Sequence, residues 1–202
     1  MNNDIREPKQ KRSIEKKERI IDAGWKLISK EGYYNTNTAE IAECAHVSTG
    51  IVYQYFKDKH DILIAGINKY GDDIFFPVLK FNNNNFNINN FSDIIDKMID
   101  EYINDHKVSE KTHEEIMSMV HTDKEIASFY YNREMNLTNQ LYNLLISNNI
   151  NNSNLKEKVH IIIGIIDNLC HEIVYHKHKE LDYEKMKKEV INIIILLIEK
   201  ID

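Results

Sequence analysis

The chain has 202 residues, 42% of them hydrophobic, with six glycines, two prolines and a net charge of −6. That is enough apolar material for a buried core, few turn-formers for a many-stranded sheet, and no aliphatic run near the ~20 residues that span a bilayer. Cys44 and Cys170 form no CxxC pair, so neither a zinc site nor a disulfide framework is suggested, and a soluble chain in a reducing, cytoplasmic compartment is expected.

The charge is unevenly placed. Residues 1–60 hold 11 bases against 9 acids, +2, which leaves 15 against 23, −8, for the rest. Arg6, Lys9, Lys11, Arg12, Lys16, Lys17 and Arg19 make a lightly basic arm, either a solvated terminus or part of a nucleic-acid contact. From residue 13 to 31, Ile20, Ile21, Ala23, Trp25, Leu27 and Ile28 recur at helical spacing, and Gly32 stands where a left-handed cap belongs. Asn37 is placed to cap a second helix of roughly eight residues, with Glu40 completing a capping box. After a tight connection at His46-Val47, Ser48 is placed to cap a third short helix ending at Phe56. Two short helices and a three-to-four-residue turn have the dimensions of a helix-turn-helix.

The third helix is too short to stand alone, so packing through Val52 and Phe56 must hold it. Its other face stays outward, with Thr49, Gly50, Ile51 and Gln54, and with Tyr53 and Tyr55 at the flanks where hydroxyls reach phosphates. Residues 19–63 resemble the DNA-binding domain of the TetR family of bacterial transcriptional regulators. The resemblance is carried by Ala23, Gly32-Tyr33, Ile41-Ala42, Ala45, Val47-Ser48, Gly50, Tyr53, Tyr55-Phe56, Lys59 and Leu63 in register. It implies a recognition helix at residues 48–56, with Thr49, Gly50 and Ile51 near base edges and Tyr53, Tyr55 and Lys59 near the DNA backbone. Thr38 matches a frequent phosphate contact, and Ser48, Gln54 and His46 complete the candidate DNA-binding set. Two positions depart from the family pattern. His46 stands where Gly is common in the turn, and Ala39 stands where some relatives carry a base-reading side chain.

Downstream, residues 61–80 read as a long linking helix disturbed near Gly71 and ended or kinked at Pro77, followed by an Asn-rich surface loop at 81–91. Amphipathic helices follow from Ser92, around 114–121 and over 123–147. Asn154 and Glu157 form a capping-box pattern for a helix at 155–177, and Asp182 caps one at 183–201. These last two hold more aliphatic residues than one protomer's core requires, so the surplus packs either within the chain or on a second copy. The resemblance implies the latter, a four-helix homodimer interface made by Ile161, Ile165, Leu169 and Ile173 with Val190, Ile194 and Leu197.

The resemblance also implies a ligand pocket in the larger part. Met98, Tyr102, Met117, Val120 and His121 are candidates on the earlier helices, with Phe129, Tyr130 and Arg133, then Asn168, His171 and Tyr175, on the later ones. Met and aromatic residues at such spacing equally serve as core, and Arg133 either snorkels outward or meets an acid. His171, His176 and His178 lack metal-ligand spacing and read as solvated or capping groups. No catalytic or nucleotide-cradling motif occurs, so no enzyme activity and no cofactor are expected.

The expectation is therefore an all-α chain. Residues 1–60 form an N-terminal three-helix helix-turn-helix DNA-binding domain, and residues 61–202 a larger C-terminal helical domain for effector binding and dimerisation. The expected activity is that of a homodimeric repressor on a near-palindromic double-stranded DNA operator, released by a small-molecule effector and with no membrane partner. The alternative is a DNA-bound scaffold of the same fold that acts through a protein partner.

Overall fold

The computed structural model describes residues 8–71, 90–105 and 108–199, apart from the side chains of Tyr102, Asp105 and Glu199. Arg6, Pro77 and most of the Asn-rich run lie outside the described residues. Those described form nine helices and no strand: α1 (Lys11–Glu31), α2 (Thr38–Cys44), α3 (Thr49–Tyr55), α4 (Lys59–Tyr70), α5 (Phe91–Asp105), α6 (Glu110–Thr122), α7 (Lys124–Ser147), α8 (Leu155–Tyr175) and α9 (Tyr183–Glu199). No helix among them is long and apolar enough to cross a membrane. The chain divides into two compact units, with residues 108–130 belonging to the first, so that unit extends past residue 60 and takes in α4 and α6.

In the first unit, α1 crosses α4 at close range. A Cβ on Gly24 would collide with Ile62, and one on Gly66 would lie 2.9 Å from the Trp25 ring. Ile20, Ile41, Val52 and Ile62 are each fully buried and form one core with Ala42, Tyr55 and Phe56. This core holds α2 and α3, seven residues each, which have too few turns to be stable by themselves. Gly32 ends α1 at φ 90°, a conformation that side chains with a Cβ resist. α4 is capped by Asp58, whose carboxylate accepts the Asp61 amide at 3.1 Å, and it ends at Tyr70. The expected continuation of this helix toward residue 80 lies outside the described residues.

α6 is anchored to α1 by polar contacts. The Thr112 hydroxyl donates to the Ile28 carbonyl at 2.6 Å, and the Ser109 amide donates to the Ser29 carbonyl at 3.1 Å. Both acceptors are last-turn carbonyls of α1, for which the helix itself has few donors left.

In the second unit, α5 packs on both α8 and α9. Lys187 reaches from α9 to α5, donating to Asp100 at 2.6 Å and lying 2.9 Å from Asp96. The lysine side chain is only 8% exposed, yet it is doubly paired, as a buried ammonium must be. This arrangement changes the assignment of the expected dimer residues. Leu169, Ile173, Val190 and Ile194 are buried inside the protomer, because α8 and α9 need them against α5 and against each other. Ile165 and Leu197 are half-buried, while Ile161 is 51% exposed.

Two expected caps are absent. Asn154 adopts φ 55°, a left-handed backbone, and its side chain caps no amide, so the Asn154-Glu157 pattern is not a capping box. Ser48 likewise makes no side-chain cap bond, although its carbonyl accepts the Ile51 and Val52 amides.

Candidate nucleic-acid interface

The helix-turn-helix is built by local chemistry at each end. Asn37 Oδ1 accepts the Ala39 and Glu40 amides, each at 3.0 Å, and Glu40 returns a carboxylate oxygen to the Asn37 amide at 3.2 Å. This reciprocal box contributes about 1 kcal/mol to starting α2. At its other end the Val47 amide donates to the Ala42 carbonyl and the His46 amide to the Glu43 carbonyl, both at 3.0 Å. That pair of bonds is a Schellman motif, and it requires a left-handed residue at the position His46 occupies. His46 supplies it at φ 54°.

α3 then leaves the turn with two unlike faces. Val52, Tyr55 and Phe56 are buried, while Ser48, Thr49, Gly50, Tyr53 and Gln54 are exposed. A Cβ on Gly50 would meet only Ser48 Oγ, at 3.9 Å, so the backbone is open to close approach there. Ile51 is half-buried against the core, which leaves only part of it facing outward.

Tyr55 departs from the expectation. It is 6% exposed and belongs to the core, because it lies three residues after Val52 and so shares its face. Tyr53, 46% exposed, is the tyrosine left on the open side of α3. Thr38 is half-buried at the first position of α2, and Ala39 and His46 are exposed.

Lys59 is the second departure. Its ammonium donates to the carbonyls of Tyr33 at 2.6 Å and Thr36 at 2.8 Å, and it lies 4.1 Å from the centroid of the Tyr33 ring. Burial pushes its pKa below the ordinary lysine value, with Glu115 and Glu40 acting in the opposite direction. Lys59 therefore clamps the connection between α1 and α2 instead of standing free toward a phosphate. The Thr36 hydroxyl, donating to the Gly32 carbonyl at 2.8 Å, closes the same connection from inside.

The basic arm is not loose along its length. α1 starts at Lys11, so Arg12, Lys16, Lys17 and Arg19 are carried on a helix, with Arg12 and Arg19 exposed. Lys17 lies 5.7 Å over the Phe56 ring, which places a cation beside the end of α3.

The candidate ligand residues fall in different units. Met117, His121, Phe129 and Tyr130 belong to the first, with Phe129 packed against Gly71. Met98, Arg133, Asn168, His171 and Tyr175 belong to the second, and the Tyr102 side chain lies outside the described residues. Met98 and Val120 are buried, His121 and Asn168 exposed, and the others half-buried. In the second unit His171 Nδ1 lies 3.5 Å from the Asp167 carboxylate and its ring 6.2 Å from that of Tyr175.

Asp167 escaped the sequence reading. Its carboxyl is pushed up to about 7, first by burial and then by Glu134. The available signal was an acid on the apolar side of α8, in line with Ile163 and Cys170. Asp58, His60 and Asp61 bring potential metal-ligating atoms within 4.8 Å of one another. Asp58 and Asp61 accept backbone amides, and His60 Nε2 lies 2.7 Å from Asp123. The cluster also sits at the positive end of α4, which opposes a cation.

A short, core-held helix with an open polar face, set by a tight turn after a capped helix, defines a helix-turn-helix DNA-binding protein. Residues 20–65 match the family model described as bacterial regulatory proteins, tetR family. The HTH-type transcriptional regulator HbdR of Aromatoleum sp. (strain CIB) is 55% identical over 58 residues, covering 29% of this chain and 25% of that protein. The fatty acid metabolism regulator protein of Bacillus subtilis (strain 168) is 46% identical over 57 residues, covering 28% of each. The chain thus spans about a quarter of the length of these curated relatives.

Solved structures match over more of the chain. Salmonella enterica GusR has a TM-score of 0.68 at 12% identity, covering 92% of this chain and 96% of that one. A transcriptional regulator from Saccharomonospora viridis in complex with choline has a TM-score of 0.66 at 14% identity, covering 90% and 96%. At these identities the likeness is one of fold. Residues 20–65 thus carry the sequence of a tetR-family regulatory domain, and the chain around them shares the fold of these solved regulators.

Proposed function

We propose that this chain is a homodimeric repressor that binds a near-palindromic operator and leaves it on binding a small molecule. The observation that carries the DNA-binding part is the division of α3, with Val52, Tyr55 and Phe56 in the core and Thr49, Gly50, Tyr53 and Gln54 exposed. In such an arrangement the open face enters a major groove while Tyr53, Thr38 and the cations of α1 meet phosphates. The turn residue His46 and the partly exposed Ile51 complete the proposed surface. Lys59 acts by fixing the connection that precedes Thr38, within the proposed N-terminal DNA-binding domain.

Dimerisation is proposed through α8 and α9 at the apolar residues the protomer leaves outside, Ile161 at 51%, Ile193 at 44% and Leu196 at 61% exposure. A small-molecule effector is proposed for the C-terminal domain, with His171, Tyr175 and Arg133 on its helices. The choline-bound structure of the same fold supports this part. The reading also places the protein in the cytoplasm and assigns it no catalytic step.

The test is selection of duplexes from a randomised pool, followed by anisotropy titration of the selected duplex at two salt concentrations. A two-fold symmetric site whose affinity falls with salt supports the reading. Binding that ignores sequence, or that needs a second protein, overturns it.

A further inference from the structure

The connection between α1 and α2 is gripped from two sides. Lys59 of α4 holds the carbonyls of Tyr33 and Thr36, as described above. On the other side stands Glu115 of α6, 81 residues along the chain from Tyr34 and only 12% exposed. Its Oε2 accepts the Tyr34 amide at 3.2 Å. A Cβ on Gly32 would lie 2.9 Å from each of its carboxylate oxygens, so the carboxylate rests directly over the residue that ends α1. Lys111 Nζ is 4.0 Å away on the same helix. Thr112, one turn earlier on α6, and Ser109, which caps that helix, fix the same end of α1 through the Ile28 and Ser29 carbonyls. Three residues beyond the Tyr34 amide, Asn37 begins α2.

We propose that Glu115 is a positioning residue for DNA binding, which makes the placement of α2 depend on the placement of α6. The carboxylate is largely shielded while the amide it accepts faces solvent, and the connection it holds is only six residues long, so the start of α2 follows the carboxylate. Any event that shifts α6 must carry this connection with it or break the bond. In either case Thr38 and the turn that presents α3 change position or lose order. The role rests on the operator-binding reading above.

The experiment compares the full chain with Glu115→Ala and Glu115→Gln. It measures affinity for the selected duplex, the urea unfolding midpoint, and amide exchange in the protein without DNA. Glu115→Gln keeps an acceptor for the Tyr34 amide and is expected to bind the duplex within about threefold of the parent. Glu115→Ala is expected to bind roughly tenfold more weakly, the scale of one lost charge-assisted hydrogen bond. Exchange should quicken at Tyr34, Ala39 and Glu40 while amides in α4 keep their rates. Should Ala not fold, Glu115→Met, of similar length but with no carboxylate, takes its place.

Equal affinity for all variants overturns the proposal, as does exchange that quickens evenly across α1 to α4, which would mark a purely structural role. If the parent itself selects no duplex, the operator reading fails, and the local exchange pattern still decides whether Glu115 positions α2.

Discussion

The Lys59 ammonium lies 2.6 Å from the Tyr33 carbonyl oxygen, joining the first turn of α4 to a loop 26 residues earlier. An inward-facing cation makes a different prediction from one that meets phosphate. Lys59→Met should lower stability by about 1–3 kcal/mol, since two partly buried carbonyls lose a charged donor. It should leave the slope of log affinity against log salt nearly unchanged, whereas a lost phosphate contact lowers it by about 0.9. Urea unfolding and salt-dependent anisotropy measure the two effects separately.

The two tyrosines of α3 should part company. Tyr53→Phe is expected to weaken duplex binding at constant stability, because its exposed hydroxyl touches no core. Tyr55→Ala removes a core ring and should cost about 3–5 kcal/mol in unfolding free energy. A Tyr55→Ala protein that kept its full unfolding midpoint would contradict the burial described here.

His46 holds a left-handed backbone that glycine adopts without penalty. His46→Gly should raise stability by up to about 1 kcal/mol, read as a higher urea midpoint at constant m-value. Glycine's greater freedom in the unfolded chain offsets part of that gain.

At α9, neighbouring positions should behave in opposite ways. Leu196→Asp adds a carboxylate at a 61% exposed site and should yield a folded chain of half the sedimenting mass. Ile194→Asp places one at a fully buried site and should unfold the chain. A Leu196→Asp protein that stays dimeric would move the interface off this face.

Asp167 gives a pH dependence whose sign is fixed by its raised pKa. Between the ordinary carboxylate range near 4 and about 7, the unfolded chain releases a proton that the folded chain keeps. Stability from this group is therefore lost as pH rises through that window. Asp167→Asn should flatten the loss, gaining most over the parent at pH 8 and least near pH 4. Urea midpoints across the range test it.

Much of the first unit was legible in sequence because its signals are local. The Asn37-Glu40 box, the Gly32 cap and the periodicity of α1 each lie within a few residues. Lys59 misled because backbone carbonyls far along the chain carry no side-chain signature. Tyr55 was legible in principle, since it follows Val52 by three residues and so shares its face. Asn154 shows the converse, a pattern with the right letters and a backbone turned the wrong way. The buried Lys187 and Asp167 needed tertiary partners on other helices to be understood, and helical spacing alone names neither partner.

The openness of α3 at Thr49, Gly50 and Gln54 bears on how such a protein diverges. Those positions add almost nothing to the core, so, with the operator-binding role proposed above, substitutions there would alter which bases are preferred without approaching the threshold at which the chain unfolds. Lineages can therefore retarget the regulator by drift at a few outward positions, while Val52, Tyr55 and Phe56 keep the helix in place beneath them.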